Sequence, residues 1–185
     1  MAVFRRALLG WLVVLVLIAP ALVAHATTVL LLTRDELVSR SDAVARVRVG
    51  ASQVRESDDG SAILTRTELT LTQPLKGSLP STVVLEQIGG TYRGKTQRVL
   101  GDAQLKSGED LVVFLKKGDG DRVYLTALAL SVYHVDAKGM ARRDLKDLSL
   151  AKRERGRIRP AEPPKELPEP VDQLMADVIR IAGGK

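Results

Sequence analysis

His134 is the residue of this chain best suited to acid–base chemistry, because an imidazole gains and loses a proton near neutral pH. It lies between Tyr133 and Val135, in an alternating run that is typical of a strand. The sequence has no cysteine, no Gly-x-Ser-x-Gly motif and no His-Glu-x-x-His pair that would supply a nucleophile or a metal partner. We therefore interpret His134 as a strand residue on a polar or partly buried face. We predict no catalytic residue and no enzyme activity.

Two other segments could be mistaken for a metal or phosphate site. Asp119 and Asp121 flank a glycine, which is the spacing of a hairpin tip and not of an EF-hand loop. Residues 89–94 are rich in glycine but lack the Gly-Lys-Ser/Thr ending and the following helix of a phosphate-binding loop. We predict no cofactor and no metal, and we interpret residues 89–94 as a flexible loop between strands. Because loops on a rigid scaffold often carry binding, this loop is our first candidate binding surface, with the residues Gly89, Gly90, Thr91, Tyr92 and Arg93.

Positive charge is concentrated between residues 142 and 159, where Lys146 and Lys152 accompany a set of arginines. These arginines are our candidate anion-binding residues: Arg142, Arg143, Arg153, Arg155, Arg157 and Arg159. Nucleic acid is not favoured as a partner, because single strands need aromatic faces for stacking and the chain beyond residue 26 has few aromatic residues. An anionic envelope or lipid surface fits the charge better. A solvated charged face without a ligand is the simplest alternative.

Residues 1–26 have the pattern of a secretory signal peptide. Arg5 and Arg6 precede an uncharged apolar run, and the small residues Ala24 and Ala26 predict cleavage before Thr27. Cleavage lowers the net charge from +6 to +4, since the leader carries two arginines and no acidic residue. We expect export by the general secretory route to the periplasm or the extracellular space, with the membrane met only transiently, through the leader. A retained membrane anchor over residues 7–24 is the alternative, because a span needs about 20 apolar residues.

Hydrophobic periodicity predicts a mainly β body with one short helix at its start. Thr33 and Glu36 have the spacing of a capping box, so we expect a helix over residues 34–41. Alternating residues predict two strands joined by an Asp-Gly hairpin turn, the second of them ending at Pro74. In chain order, we expect strands over residues 42–51, 63–71, 82–88, 111–115, 123–130 and 132–135. The run 111–115 is apolar throughout, which indicates the innermost strand, covered on both faces.

Five or six antiparallel strands of this length can bury a core by closing into a small barrel, to which we assign residues 27–140. Residues 141–170 are dense in charge and contain five prolines, so we predict a basic and proline-rich linker there. Beyond Pro170, apolar residues at helical spacing predict an amphipathic helix over residues 171–185. We expect this helix to dock on its own barrel rather than on a partner.

The order of these elements, with the motifs in residues 41–49, 75–77, 108–115 and 120–124, resembles the netrin-like domain of tissue inhibitors of metalloproteinases. Small exported bacterial proteins share that plan. The resemblance covers roughly residues 35–135 and implies a five-stranded Greek-key barrel of the oligonucleotide/oligosaccharide-binding (OB) type. In the inhibitor family, a mature amino-terminal cysteine places its amine and carbonyl on the protease zinc. The first mature residue here is predicted to be Thr27, so we assign no inhibitory residue.

These observations favour an exported, non-enzymatic binding module that recognises a protein or an envelope component through the loops of an OB-like barrel. Two alternatives remain open. The resemblance implies a netrin-like protease inhibitor, and the basic segment 142–159 favours binding to a polyanion or a membrane surface. The sequence leaves the ligand and the oligomeric state undetermined.

Overall fold

The computed structural model describes residues 28–184, so the predicted leader lies outside the described residues. The strands are β1 Thr28–Leu30, β2 Ala43–Glu56, β3 Ile63–Lys76, β4 Thr82–Tyr92, β5 Lys95–Arg98, β6 Asp110–Lys117, β7 Arg122–Leu125, β8 Val132–Val135, β9 Met140–Arg142, β10 Ser149–Glu154, β11 Arg157–Ala161 and β12 Glu169–Pro170. The α-helices are α1 Arg34–Arg40 and α2 Val171–Gly183, and a 3₁₀ turn covers Leu128–Ser131. None of the helices in residues 28–184 is both long and apolar enough to cross a membrane.

Five strands form a closed ring in the order β2–β3–β4–β7–β6, and β6 pairs back onto β2. The prediction of a mainly β body with one helix before it and one after it is confirmed. The prediction that every strand runs antiparallel is wrong, because β4 and β7 pair in parallel. The reason is geometric. Strand direction cannot alternate all the way around a ring with an odd number of members, so one neighbouring pair must run the same way.

Some of the remaining strands extend the ring, and the others form a small separate sheet. Strand β8 pairs with β6, β9 pairs with β8, and β12 pairs with β9. Strands β1, β10 and β11 form their own three-stranded sheet, in which β1 runs parallel to β10.

The interior of the ring is filled by aliphatic side chains, among them Val47, Leu69 and Leu85. Alternate residues of β6 belong to two different cores. The core inside the ring contains Leu111, Val113 and Leu115 of this strand. Phe114 packs on the opposite face of β6, towards the helices. All residues from 111 to 115 are fully buried, as the continuous apolar run predicted.

Helix α1 begins with the predicted capping box. The Thr33 Oγ1 accepts a hydrogen bond from the Glu36 amide (3.2 Å), and the Thr33 amide donates to the Glu36 carboxylate (2.9 Å). Leu32 and Leu37 are both buried in the core beside the helices, which closes the first turn. Two orphan donors of the helix are therefore satisfied locally, and α1 forms where the sequence predicted it.

Helix α2 packs on the body of the protein, which confirms the docking expected from its apolar stripe. Its buried residues are Val171, Leu174, Met175 and Val178. The Arg34 side chain ties α1 to this region, since it donates to Asp177 (2.8 Å) and pairs with Glu169. The chain end is therefore held by both apolar burial and ion pairs.

The sequence predicted that β3 ends at Pro74, but the strand continues to Lys76. Pro74 lies opposite Ala45, and the register of β2 against β3 shifts on both sides of that residue. A β-bulge leaves a backbone group without a ladder partner, so it tolerates a residue that has no N–H. The end of β3 was predicted wrongly because a bulge depends on how the strand pairs with its partner, which the sequence of β3 does not show.

The segment predicted as a strand over residues 123–130 forms only the short β7 and then a 3₁₀ turn. Leu128 has a φ of +47°, which ends the extended conformation. The Ser131 Oγ accepts a hydrogen bond from the Ala127 amide (2.6 Å) and holds the turn.

Residues 141–170 do not form a linker throughout, and that prediction is wrong for the stretch that contains β10 and β11. Leu145, Leu148 and Leu150 from this stretch are buried in the core of the ring. Pro160 lies in β11, the outer strand of its sheet, where a missing N–H is tolerated. The high charge density of the segment masked three closely spaced leucines that share one core.

Candidate binding cleft

Strand β4 changes partners near its end. It pairs with β3 as far as Ile88 and with β5 from Gly89 onwards. Gly89 and Gly90 have φ values of +133° and +126°, which L side chains rarely adopt. A Cβ on Gly90 would lie 2.7 Å from Val54 Cγ1 and 2.8 Å from Thr65 Oγ1, so the β4–β5 hairpin lies directly against β2 and β3. This bend creates a cleft between the hairpin, the adjacent strands and residues 99–105.

The cleft has a volume of about 320 Å³, and eight of its sixteen lining residues carry uncharged hydrogen-bonding side chains. Its polar lining residues are Ser52, Thr65, Thr67, Gln87, Thr91, Thr96, Gln97, Arg98, Asp102 and Gln104. Of the two ionisable side chains among them, Arg98 forms an ion pair with Asp147 (2.6 Å). The lining can therefore donate and accept hydrogen bonds while presenting little net charge.

Several of these side chains are held in place by the protein itself. The hydroxyls of Ser52 and Thr67 lie 2.9 Å apart, and the Thr65 Oγ1 donates to the Gly89 carbonyl (2.6 Å). The Gln97 Oε1 accepts from the Ile63 amide (2.7 Å), which joins β5 to the start of β3. The orientation of the polar groups is thus set before a ligand arrives, which lowers the entropic cost of binding.

Asp102 lies in the wall that separates this cleft from a second one. Burial raises the pKa of the Asp102 carboxyl, against the opposing effect of hydrogen bonds from Gln87 and from the Ala103 amide (2.9 Å for the amide). The Gln87 side chain also donates to the Ala103 carbonyl (3.0 Å), which fixes this wall to β4.

The second cleft, of about 460 Å³, contains His134. The His134 side chain on β8 is 30% exposed, and its Nδ1 lies 3.6 Å from the Glu109 Oε2, beyond hydrogen-bond distance. No side-chain hydroxyl is among the residues that line this cleft in the described part of the chain. Within residues 28–184, no group of three or more histidine and acidic residues could hold a metal ion.

The predicted binding loop is not a loop but the β4–β5 hairpin. Gly89, Gly90 and Thr91 line the cleft. Tyr92 and Arg93 lie at the tip and do not, and the Arg93 guanidinium stacks 5.2 Å from the centre of the Tyr92 ring. The glycines predicted a flexible connection, but their positive φ values instead bend a continuous strand.

The predicted anion-binding arginines occupy two different places. Arg142 and Arg143 lie beside the second cleft, where Arg143 is engaged within the protein: it pairs with Glu166 (2.6 Å) and lies 5.1 Å from the centre of the Tyr133 ring. The remaining four belong to the β10–β11 hairpin: Arg153, Arg155, Arg157 and Arg159.

Sequence analysis did not identify Ser52, Thr65, Thr67 and Gln87 as cleft residues. Thr65 and Thr67 alternate with polar residues, on the same face of β3 as Ile63 and Leu69, so the pattern by itself indicates only a strand. Two successive threonines at inward positions are the signal that could have been used, since a hydroxyl facing inward needs a polar neighbour.

Comparison of this chain with protein-family models, curated proteins and solved structures finds no match.

Proposed function

We propose that this protein is an exported, non-enzymatic binding module and that its ring of strands is an OB-type barrel. In this proposal, the cleft beneath the β4–β5 hairpin holds an uncharged, hydrogen-bonding part of a protein or an envelope component. OB folds are five-stranded Greek-key barrels that bind ligands on the face of their second and third strands. The second and third strands of the ring are β3 and β4, and residues from both line the cleft.

The observation that carries the proposal is the uncharged, pre-arranged lining of the cleft. Its volume of about 320 Å³ lies at the lower end of the range of about 300–1,000 Å³ that is typical of small-molecule sites. Discrimination would come from hydrogen bonding, because a ligand group that covers a hydroxyl or amide of the lining without pairing with it would incur its desolvation cost.

The arrangement around His134 supports a non-enzymatic role. His134 and Glu109 lie in a cleft whose lining residues offer no hydroxyl for nucleophilic attack. The nearest carboxylate is too far from Nδ1 to orient the ring as in a catalytic triad.

Two arginine substitutions at exposed positions test the cleft. Thr96 lines this cleft and not the second one, whereas Ser107 lines neither. We expect residues 27–185 and the Ser107→Arg variant to capture the same partner from the envelope and extracellular fractions of the source organism. Thr96→Arg should lose it, and titration calorimetry with the purified partner should show at least a tenfold weaker Kd. Equal binding by all three proteins would refute the cleft assignment.

A screen of purified residues 27–185 against hydrolase substrates tests the non-enzymatic part. We expect no turnover above the rate of a His134→Ala control. Turnover that the His134→Ala substitution abolishes would show that the second cleft is catalytic and would overturn this part of the proposal.

A further inference from the structure

The β10–β11 hairpin stands out from the body of the protein. Leu150 and Ala161 at its base pack against the core of the ring, but every residue from 152 to 160 is exposed. A two-stranded ribbon with both faces in water is only marginally stable by itself. Its exposed part therefore gains little from the fold of the protein.

This ribbon carries the whole charge imbalance of the described chain. Residues 28–184 contain 25 basic and 22 acidic residues, which gives a net charge of +3. Residues 152–159 contain five basic residues and one acidic residue, which gives +4. The remainder of the described chain therefore has a net charge of −1, and the ribbon is its cationic region.

The cations of the ribbon are poorly neutralised. Glu154 lies 3.6 Å from Lys152 and 3.9 Å from Arg159. Within residues 28–184, no ion pair involves the guanidinium groups of the other three basic residues: Arg153, Arg155 and Arg157. Arg155 has a φ of +49° in a two-residue turn where asparagine is the usual non-glycine residue, so its charge is placed at the tip despite an unfavourable backbone conformation.

An aliphatic side chain lies among these cations. Ile158 is 68% exposed and is the direct cross-strand partner of Arg153, so the two side chains share one face. An anionic polysaccharide or a nucleic acid would leave Ile158 in water. In addition, residues 141–184 contain no aromatic side chain on which bases could stack. A bilayer with anionic headgroups pairs with the arginines and buries the isoleucine at the same time.

We propose that the β10–β11 hairpin docks this protein on an anionic phospholipid bilayer, with the arginines at the headgroups and Ile158 at the acyl boundary. This surface is separate from the cleft and does not depend on the function proposed for it. Of the basic segment 142–159 recognised in the sequence, only residues 152–159 bind the bilayer in this proposal.

Cosedimentation with vesicles tests the proposal, using residues 27–185 so that the apolar leader does not contribute. We expect binding to vesicles of equal parts phosphatidylcholine and phosphatidylglycerol, little binding to phosphatidylcholine alone, and a marked loss of binding in high salt. Arg155→Asn removes one cation while suiting the turn, and it should weaken binding about fivefold. Ile158→Ser leaves the charge unchanged and should weaken binding roughly tenfold.

Arg93→Asn is the matched control, because it makes the same change in the same kind of turn at the tip of the other hairpin. It should bind vesicles like the wild type. Equal losses in Arg93→Asn and Arg155→Asn would show a general charge effect and refute the proposal. Unchanged binding by Ile158→Ser, or retention on heparin or single-stranded DNA without retention on the anionic vesicles, would identify a soluble polyanion as the ligand and also refute it.

Discussion

The β4–β5 and β10–β11 hairpins turn in the same way but have different surroundings. The first turns at Arg93-Gly94, with φ values of +47° and +77°, and the second at Arg155-Gly156, with +49° and +78°. In both turns an arginine adopts the left-handed conformation, which is uncommon for residues other than glycine, asparagine and aspartate. The backbone conformation of the two tips is therefore nearly identical.

What differs is the contact of each hairpin with the rest of the protein. The β4–β5 hairpin is held at two of its four residue pairs, by Gly90 against β2 and β3, by Gln97 at the start of β3 and by the ion pair of Arg98. The β10–β11 hairpin is held only at its base. The same turn thus forms the wall of a cleft in one place and an exposed cationic ribbon in the other. The predictions below test that difference.

The largest effect is expected at the point where the β4–β5 hairpin touches the ring. Gly90→Ala would place a methyl group 2.7 Å from Val54 and 2.8 Å from Thr65 at a φ of +126°, so both overpacking and backbone strain oppose it. We expect a loss of about 3 kcal/mol in the free energy of unfolding, measured by urea denaturation. A loss no greater than that of Gly94→Ala, whose Cβ would meet nothing within 4 Å, would contradict the close contact.

The two tip glycines allow a direct comparison of the hairpins. Gly94→Ala and Gly156→Ala introduce the same strain at φ values of +77° and +78°, and both methyl groups would enter open space. Each should cost about 1 kcal/mol locally. In urea denaturation we expect this cost for Gly94→Ala only, because the exposed ribbon can fray without unfolding the ring. For Gly156→Ala, amide hydrogen exchange should instead become faster within residues 152–159. Equal losses of global stability would contradict the difference in anchoring.

The contribution of Asp102, in the wall opposite the β4–β5 hairpin, to the free energy of unfolding should depend on pH. Burial raises the pKa of its carboxyl above the ordinary value of 3.8. The native state therefore favours the protonated carboxyl. The contribution of Asp102 to stability is greatest below the unfolded pKa and falls as the pH rises through the native pKa. Asp102→Asn keeps an acceptor for the Ala103 amide and should be more stable than the wild type at neutral pH.

Urea denaturation between pH 3 and pH 7 measures this difference, with Asp119→Asn at the exposed β6–β7 turn as the control. The stability advantage of Asp102→Asn should grow with pH. An advantage that stays constant or shrinks as the pH rises would show that ionisation of Asp102 is not penalised in the native state.

The smallest effect is expected from relief of strain at the arginines. Asparagine tolerates the left-handed conformation better than arginine, and this relief of about 1 kcal/mol outweighs the loss of the Arg93 contact with the Tyr92 ring, about 0.5 kcal/mol. Arg93→Asn should therefore stabilise the protein by about 0.5 kcal/mol in urea denaturation. Arg155→Asn should change global stability less, because the ribbon is only attached at its base. A larger gain for Arg155→Asn than for Arg93→Asn would reverse the comparison.

Local patterns were sufficient where the interactions themselves are local. The capping box of Thr33 and Glu36 spans three residues, and the apolar stripe of α2 repeats within each turn of the helix. The buried run in β6 was recognisable because a strand covered on both faces needs no polar position. The Asp-Gly turn predicted between the first two long strands is present at residues 58–60, because turn chemistry is also local.

Predictions failed where a residue's environment came from a distant segment. Pro74 is tolerated because of a bulge against β2, and Gly90 bends a strand because β2 and β3 lie beneath it. Leu148 and Leu150 lie in the segment that was predicted to be a linker, and their burial depends on the ring. None of these relations leaves a short-range pattern in the chain.

The amino-acid order alone established the helices, most of the strands and their inward faces, since side-chain period and turn chemistry act over a few residues. Closure of the ring, the parallel β4–β7 contact and the cleft depended on which strands became neighbours. Ser52, Gln87 and Gln104 come from different segments and share one cleft only after those strands have paired. Strand pairing depends on burial of the whole core, so it decided which distant residues join the predicted segment of Gly89, Gly90 and Thr91 in the cleft.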